Sequence, residues 1–291
     1  MSGRTAIGTL VRALGVAVGV VGCAVVVAVT LVALGIPADS RAERVRATAP
    51  PPRPTELMVA LTLGDPALQA GVLRGREVIL ARGLEVDVAR ALARRLRIPR
   101  VRFLNVHPSA RLLTSGSRPW HLAIAGVEPS PAAGAAADLS IPYLVTDQAV
   151  LLRRGLPRPR SLADLRRRVV CARRGSDGAR TLAAAVRPQS KSVLPATSER
   201  LLQLVRTGVC DAALVDGVGV GRLVAGRGAL FGPVASRVEH GSGLVVAVTR
   251  GGPIAVTEVD RALRRLRADG TLHRLALAWL GIDPGRLRIL D

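Results

Sequence analysis

The chain has 291 residues; 49% are hydrophobic, only 2% are aromatic, and the formal net charge is +21. This length allows one or two domains with sizeable cores. Arginines supply nearly all of the positive charge, are spread over the whole chain and lack interleaved aromatic residues that would stack on bases. We therefore expect no nucleic-acid partner. The three cysteines have neither CxxC nor metal-ligand spacing, which argues against a zinc site, and no cofactor is expected.

An uncharged stretch near the N-terminus covers residues 13–36. As a helix, its 24 residues would rise about 36 Å, enough to cross a bilayer. The apolar core of a cleaved signal is usually shorter, roughly 7–15 residues. We therefore predict a retained, single-pass transmembrane anchor at residues 13–36, preceded by a cytoplasmic N-terminus at residues 1–12.

Two further features concern this N-terminal part. The letters VVGC at residues 20–23 resemble a lipoprotein cleavage box, so cleavage or lipidation at Cys23 stays open as an alternative. Residues 37–56 contain the run PPPRP at 50–54, which predicts a semi-rigid linker between the membrane and the rest of the chain.

From residue 57 onwards, strand and helix patterns alternate. Apolar runs predict strands at residues 57–63, 101–104, 122–126, 148–152, 169–172, 211–216 and 243–248. Apolar spacing, as in Val88, Leu92 and Leu96, predicts helices through that trio and at 110–113, 161–165, 178–186, 199–207, 256–268 and 272–280. Ser161 is expected to cap its helix. The alternation predicts an α/β protein with βαβ units and mostly parallel sheets.

Two cysteines fall in this α/β part. Cys171 lies within a predicted strand, and Cys210 comes just before the strand at 211–216. If these strands are parallel neighbours, the two cysteines are offset along the sheet. A disulfide requires Cα atoms about 4.4–6.8 Å apart, so both cysteines are predicted to be buried and reduced.

Several short motifs occur in the order and spacing of one known family, the family-3 extracellular solute-binding proteins of amino-acid ABC importers. They resemble the family's GFDVDLA, SGKFDLIIAG, DFSDPYY, SLADL, RGS, GxxDAVVVD, ADGT and WFG. In this chain they are GLEVDVA at 83–89, SG through LAIAG at 115–126, DLSIPY at 138–143, SLADL at 161–165, RGS at 174–176, GVCDAALVD at 208–216, ADGT at 268–271 and WLG at 279–281. The resemblance covers about residues 59–281.

This resemblance implies a two-lobed, type II periplasmic-binding-protein-like α/β domain at residues 57–291. The first lobe would hold about residues 57–145 and 243–291, and the second about residues 146–242. Two crossovers would join the lobes, and a ligand would bind in the cleft while the lobes close about a hinge.

The resemblance also implies a ligand site that departs from the family's pattern. The position of the arginine that clamps the ligand carboxylate is Ala133, and Glu128 replaces a hydroxyl residue. Asp216 stands where the ligand ammonium group binds, and Ser176 stands at a helix start that favours an anion. The candidate ligand-binding residues are Asp65, Glu128, Ser176, Asp177 and Asp216.

Simpler roles stay open for these candidates: a helix cap for Ser176, a strand-end cap for Asp216 and a solvated loop acid for Glu128. If Glu128 and Asp216 face the cleft from opposite lobes as unpaired carboxylates, the domain should stay open without ligand and should favour a cationic or uncharged ligand over amino-acid zwitterions.

The expected function is capture of a small polar or cationic, amino-acid-like ligand for an ABC importer, at the extracytoplasmic face of the cell membrane, with an ABC permease as partner. The alternative is a membrane-anchored sensor or docking module with a degenerate pocket and a membrane signalling partner. The four histidines have no paired nucleophile in recognisable spacing, so no enzyme activity is expected.

Overall fold

The computed structural model describes residues 52–107, 118–239, 241 and 243–291. Residues from Arg53 to Asp291 form one compact unit. The predicted cytoplasmic segment at 1–12, the anchor at 13–36, most of the linker and the short helix at 110–113 lie outside the described residues. In the part that is described, no helix is long and apolar enough to cross a membrane.

Most predicted elements are present, within one to three residues of the expected bounds. The strands are β1 (Glu56–Leu61), β2 (Ala70–Arg74), β3 (Glu77–Arg82), β4 (Arg100–Asn105), β5 (Leu122–Ala123), β6 (Asp138–Leu144), β7 (Gln148–Arg153), β8 (Val170–Ala172), β9 (Ala212–Asp216), β10 (Phe231–Val238), β11 (Leu244–Val248) and β12 (Arg288–Ile289). The helices are α1 (Leu84–Leu96), α2 (Pro131–Ala136), α3 (Leu162–Arg166), α4 (Asp177–Thr181), which a π-helical turn at Leu182–Val186 extends, α5 (Ser198–Arg206), α6 (Val220–Leu223), α7 (Val256–Ala268) and α8 (Thr271–Leu280).

The first lobe is built on a sheet with the strand order β2-β3-β4-β1-β5-β11-β6 among the described residues. Strand β1 is parallel to both β4 and β5, whereas the β2–β3, β3–β4, β5–β11 and β11–β6 pairs are antiparallel. The prediction of a mostly parallel sheet is therefore wrong. The sheet is mixed because β11 brings the chain back from the second lobe in the opposite direction, and β2 and β3 form a hairpin.

The second lobe is built on a sheet with the order β12-β10-β7-β9-β8 in the part of the chain that is described. The chain enters it from β6 to β7 and leaves it from β10 to β11, which confirms the predicted two-lobed architecture and the two predicted crossovers; after α8 the chain crosses to the second lobe once more. The prediction assigned all of residues 243–291 to the first lobe, but the end of this segment belongs to the second lobe. The two-residue strand β12 pairs with β10, and Leu290 is buried in the second lobe, because the C-terminal segment completes that lobe's core.

Aliphatic side chains form the cores, as the scarcity of aromatic residues requires. In the first lobe, Val88 and Leu92 of α1 pack with Leu263 of α7 and Leu280 of α8 on one face of the sheet. The second sheet carries a buried cluster on each face. Ser161 caps α3 as predicted, since its hydroxyl oxygen accepts a hydrogen bond from the Asp164 amide at 3.3 Å.

Cys171 and Cys210 form a disulfide, with Cα atoms 6.0 Å apart. Both residues are buried, as predicted, and β8 is parallel to β9, the arrangement on which the prediction depended, but the prediction that the cysteines are reduced is wrong. The amides of Asp211 and Ala212 both donate to the carbonyl of Val169, at 2.8 and 3.3 Å. This irregular start of the β8–β9 ladder brings Cys210 towards Cys171, which a regular register would keep apart.

Candidate functional site

A cavity of about 440 Å³ opens at the carboxyl ends of the parallel strands β8 and β9. This end of a sheet is where α/β folds usually bind ligands. Three of the five candidate residues, Ser176, Asp177 and Asp216, line the cavity. Its other walls come from the start of β7, from α5 and from the turn after β9, and are formed by Gln148, Arg173, Gly175, Arg180, Ser198, Leu201, Leu214, Val215, Gly219 and Leu223.

Asp216 is the last residue of β9, and its side chain reaches the cavity. One of its carboxylate oxygens, Oδ1, accepts a hydrogen bond from the Val218 amide at 3.0 Å. Partial desolvation by the cavity wall raises the pKa of Asp216, against the lowering effects of this hydrogen bond and of Arg222. The residue therefore caps the turn that follows β9 and still presents carboxylate to the cavity, so the two roles considered for it are compatible.

Ser176 and Asp177 already have partners within the second lobe. The Ser176 hydroxyl donates to the carbonyl of Arg173 at 2.6 Å and accepts from the Ala179 amide at 3.2 Å. The Asp177 carboxylate is ion-paired with Arg180. The cavity wall thus contains the guanidinium groups of Arg173 and Arg180 beside the acids, and the net charge of the wall is more balanced than the sequence suggested.

Asp65 lies in the loop that follows β1 in the first lobe, and it meets Arg222 of α6 in the second lobe. The two guanidinium nitrogens of Arg222 contact the two carboxylate oxygens of Asp65, with an Nη2–Oδ2 distance of 2.6 Å. This bidentate hydrogen bond lowers the pKa of Asp65, and burial opposes the effect. The Ala67 amide also donates to Asp65, at 2.9 Å. The two lobes are therefore joined by a charged fork in which both oxygens of Asp65 are occupied.

Arg222 was missed by sequence reasoning. It follows Asp216 by six positions, but no motif distinguishes it among the 42 arginine and lysine residues of the chain. Its electrostatic effect reaches both Asp65 and Asp216. A signal was nevertheless present, because a basic residue shortly after a strand-end acid lies at the same edge of the sheet as that acid.

Glu128 and Ala133 lie apart from this arrangement. The Glu128 side chain is exposed and does not line the cavity that contains Asp216. Ala133 is fully buried in the first lobe. The first-lobe acid that interacts with Asp216 is Asp65 rather than Glu128, and it is paired. The expectation of two unpaired carboxylates facing each other does not describe this structure.

A buried carboxyl group, Glu85, supports the first-lobe side of the site. It is fully buried at the start of α1, and its Oε1 atom accepts hydrogen bonds from the Gly126 amide at 2.8 Å and from the Tyr143 hydroxyl. Burial raises the pKa of Glu85, and the charge of nearby Asp65 acts in the same direction. Glu85 thus ties α1 to the turn that precedes Glu128 and to strand β6.

Two of the described histidines, His121 and His273, make contacts within the chain. His121 accepts a hydrogen bond from the Met58 amide at 3.1 Å, and burial lowers its pKa. His273 contacts Asp283 at 2.8 Å. Within the described ranges, no group of three or more His, Cys, Asp or Glu residues is arranged to hold a metal ion.

A protein-family model described as "Bacterial extracellular solute-binding proteins, family 3" matches residues 80–282. No curated protein matches the chain significantly.

Solved structures of low sequence identity share the fold. The L-cystine solute receptor of Neisseria gonorrhoeae, in an unliganded open conformation, is 22% identical with a TM-score of 0.63, covering 78% of this chain and 94% of the receptor. The substrate-binding protein of a polar amino acid ABC uptake transporter from Streptococcus thermophilus is 18% identical with a TM-score of 0.61, covering 79% of this chain and 87% of that protein. An ancestral cyclohexadienyl dehydratase is 18% identical with a TM-score of 0.61, covering 78% of this chain and 93% of the dehydratase.

Proposed function

Because the chain belongs to the bacterial extracellular solute-binding proteins of family 3, we propose that it captures a small, polar or cationic, amino-acid-like solute between its two lobes. The observation that carries the proposal is the cavity of about 440 Å³ at the ends of β8 and β9 in the second lobe, with Asp216 in its wall. All of its lining residues belong to the second lobe, and in the proposed function the first lobe closes over it. A cavity of this size at this edge of a sheet suits a small ligand.

The chemistry of the cavity wall favours a solute with an ammonium group. The ionised carboxylate of Asp216 only accepts hydrogen bonds, and its two oxygens have acceptor capacity beyond the bonds from the backbone amides of the turn that follows β9. An ammonium group would donate charged hydrogen bonds to the carboxylate in place of the water molecules that the carboxylate loses on burial. Arg173, which also lines the cavity, gives a carboxylate on the same solute a cationic partner, although Ala133 provides no clamp and the Ser176 hydroxyl already donates to the Arg173 carbonyl.

We propose that the solute is delivered to an ABC permease on the extracytoplasmic side of the cell membrane, and that residues 13–36 anchor the protein there. Two of the similar structures bear names that point to amino-acid ligands, L-cystine in one case and a polar amino acid in the other. The disulfide between Cys171 and Cys210 supports a location outside the cytoplasm, since disulfides persist mainly in oxidising compartments.

A binding role is proposed in preference to catalysis. One similar structure is a dehydratase, but the residues that line the described cavity include no histidine, and Asp177 is paired with Arg180. We therefore propose a role without chemical conversion. A mass-spectrometric search for products after incubation with each ligand that binds would detect an enzyme.

The experiment that tests the function is calorimetry on the full chain in detergent, with lysine, arginine, putrescine, glutamine, cystine, glutamate and aspartate as ligands. We expect cationic or neutral compounds to bind more tightly than the two acidic amino acids. Asp216→Asn should weaken binding of a cationic ligand by about 1.5–3 kcal/mol, the contribution of a hydrogen bond to a charged group. Asp269→Asn is the matched control, because Asp269 is paired with Arg95 in the first lobe.

Equal affinity of the wild type and Asp216→Asn for every ligand would contradict the proposed site. Micromolar binding of glutamate that is unaffected by Glu128→Thr would contradict the proposed charge preference. If no member of the panel binds, the sensor or docking module with a degenerate pocket replaces the importer component as the better proposal.

A further inference from the structure

The ion pair between Arg222 and Asp65 is the feature that the proposed function leaves unexplained. It connects residues 157 positions apart, one in each lobe, through both nitrogens of a guanidinium and both oxygens of a carboxylate. Bidentate pairs of this kind are stronger and more directional than single contacts. A guanidinium of the protein itself thus occupies the carboxylate of Asp65, an acid whose charge acts on the cavity residue Asp216.

The position of Arg222 follows from the packing of α6. A Cβ atom at Gly221 would lie 1.9 Å from the carbonyl oxygen of Leu280, so only glycine allows this close contact with the end of α8. Val218, in the preceding turn, is buried in the core of the first lobe. The segment that carries Arg222 is therefore held against the first lobe. The side chain of Arg222, next to Gly221, reaches Asp65 in the loop after β1.

The charges around Arg222 add a second argument. Arg222 interacts electrostatically with Asp65 and Asp216, and these two acids repel each other. Without a cation near them, the carboxylates of Asp65 and Asp216 would repel each other with nothing to offset the repulsion. Arg222 supplies that cation from within the chain, and a solute cation would supply the same charge from outside.

We propose that Arg222 is a built-in guanidinium ligand that occupies the carboxylate of Asp65, ties the lobes together without solute, and is displaced by the cationic group of a solute. The displacement step rests on the proposed function, whereas the connection between the lobes does not depend on it. The affinity for cations then reflects competition with Arg222 as well as contacts with the solute.

The test compares wild type, Arg222→Ala and Arg222→Gln, as full chains in detergent, with methylguanidinium as the probe. Removal of the internal guanidinium should raise the affinity for methylguanidinium at least about tenfold, and adding Asp65→Asn to Arg222→Ala should abolish the gain. Arg95→Ala is the matched control: the Arg95–Asp269 pair lies within one lobe, and its exposed fractions of 41% and 34% are close to the 40% and 36% of the Arg222–Asp65 pair.

A second measurement follows the lobes directly. Spin labels on exposed positions of the two lobes should show a longer or broader distance distribution in Arg222→Ala than in wild type or Arg95→Ala, with no ligand present. Unchanged distances, or equal affinity of wild type and both Arg222 variants for methylguanidinium, would overturn the inference. If both results are as expected but no amino acid or polyamine binds any form, the connection between the lobes through Arg222 stands, whereas the proposed function and displacement by a solute fail.

Discussion

At the scale of single residues, Glu85 shows how a charged group is accommodated in a core of aliphatic side chains. One of its oxygens accepts two hydrogen bonds, and the other, Oε2, is buried without a hydrogen-bond partner among the described atoms. A buried carboxylate in this state is costly when ionised. The group is therefore more easily protonated in the folded protein than in the unfolded chain.

This environment predicts a pH-dependent effect of Glu85→Gln. The pKa of Glu85 is raised above its ordinary value of 4.5 by burial. The folded state binds this proton more tightly, so the contribution of Glu85 to stability is fully present below pH 4.5 and is lost as the pH rises through the folded-state pKa. Compared with wild type, Glu85→Gln should gain about 1–3 kcal/mol between pH 4 and pH 8, the cost of an unsatisfied buried polar group.

Urea unfolding of both proteins at several pH values measures this difference. Glu77→Gln is the matched control for the loss of a carboxyl group, because Glu77 is a first-lobe glutamate with an exposed side chain, near Arg102. A stability difference between Glu85→Gln and wild type that does not vary with pH would show that Glu85 has the same pKa in both states.

At the scale of elements, the disulfide joins the end of α5 and the start of β9 to strand β8. Strand β8 has only three residues, Val170–Ala172, and lies at the edge of the second sheet. Such a short edge strand has few ladder hydrogen bonds of its own. The bond from Cys171 to Cys210 fixes β8 beside β9 and thereby fixes the loop that carries Ser176.

Removing this disulfide should destabilise the protein. The cysteines are 39 positions apart, and closing a loop of this length is expected to contribute about 2–4 kcal/mol. Cys171→Ala/Cys210→Ala, or reduction of the wild type, should lower the free energy of unfolding by this amount in a urea titration. The double variant should also lose its sensitivity to reductant. Free thiols in unreduced protein, found by mass spectrometry, would contradict the bond.

At the scale of the whole molecule, the arrangement of two lobes about crossovers places the charged groups that matter at one boundary. Asp65 comes from the first lobe, while Asp216 and Arg222 come from the second. The arginines that give the chain its large positive charge are instead spread over the whole sequence. Most described ion pairs, such as Arg95–Asp269 and Arg153–Asp211, are partly exposed pairs within one lobe, and each contributes little to stability.

The predicted anchor is also a property of the whole molecule. We expect the mature protein to fractionate with membranes and to retain residues 13–36, because 24 uncharged residues are longer than the apolar core of a cleaved signal. Intact-mass measurement of protein purified from membranes checks this. A variant lacking residues 13–36 is the control and should be released. A start between residues 38 and 49 would contradict retention, and a lipidated start at Cys23 would indicate a lipoprotein.

The sequence by itself determined the features that depend on neighbouring residues. Apolar spacing predicted α1, α7 and α8 closely, and Ser161 was identified as a cap because a cap bonds an amide three residues away. The order of short motifs predicted the two-lobed fold. It also directed attention to Asp216, since a strand end is visible in the sequence and an open α/β sheet binds ligands there.

Only the tertiary structure decided the contacts between distant segments. The Asp65–Arg222 fork spans 157 positions, and the arginine-rich composition concealed it because many arginines looked equivalent. The disulfide depended on an irregular ladder start, and β12 joined the second lobe through the path of the C-terminus. In each case the decisive quantity is a distance between side chains or strands that are far apart in the chain, and the packing of whole elements sets that distance.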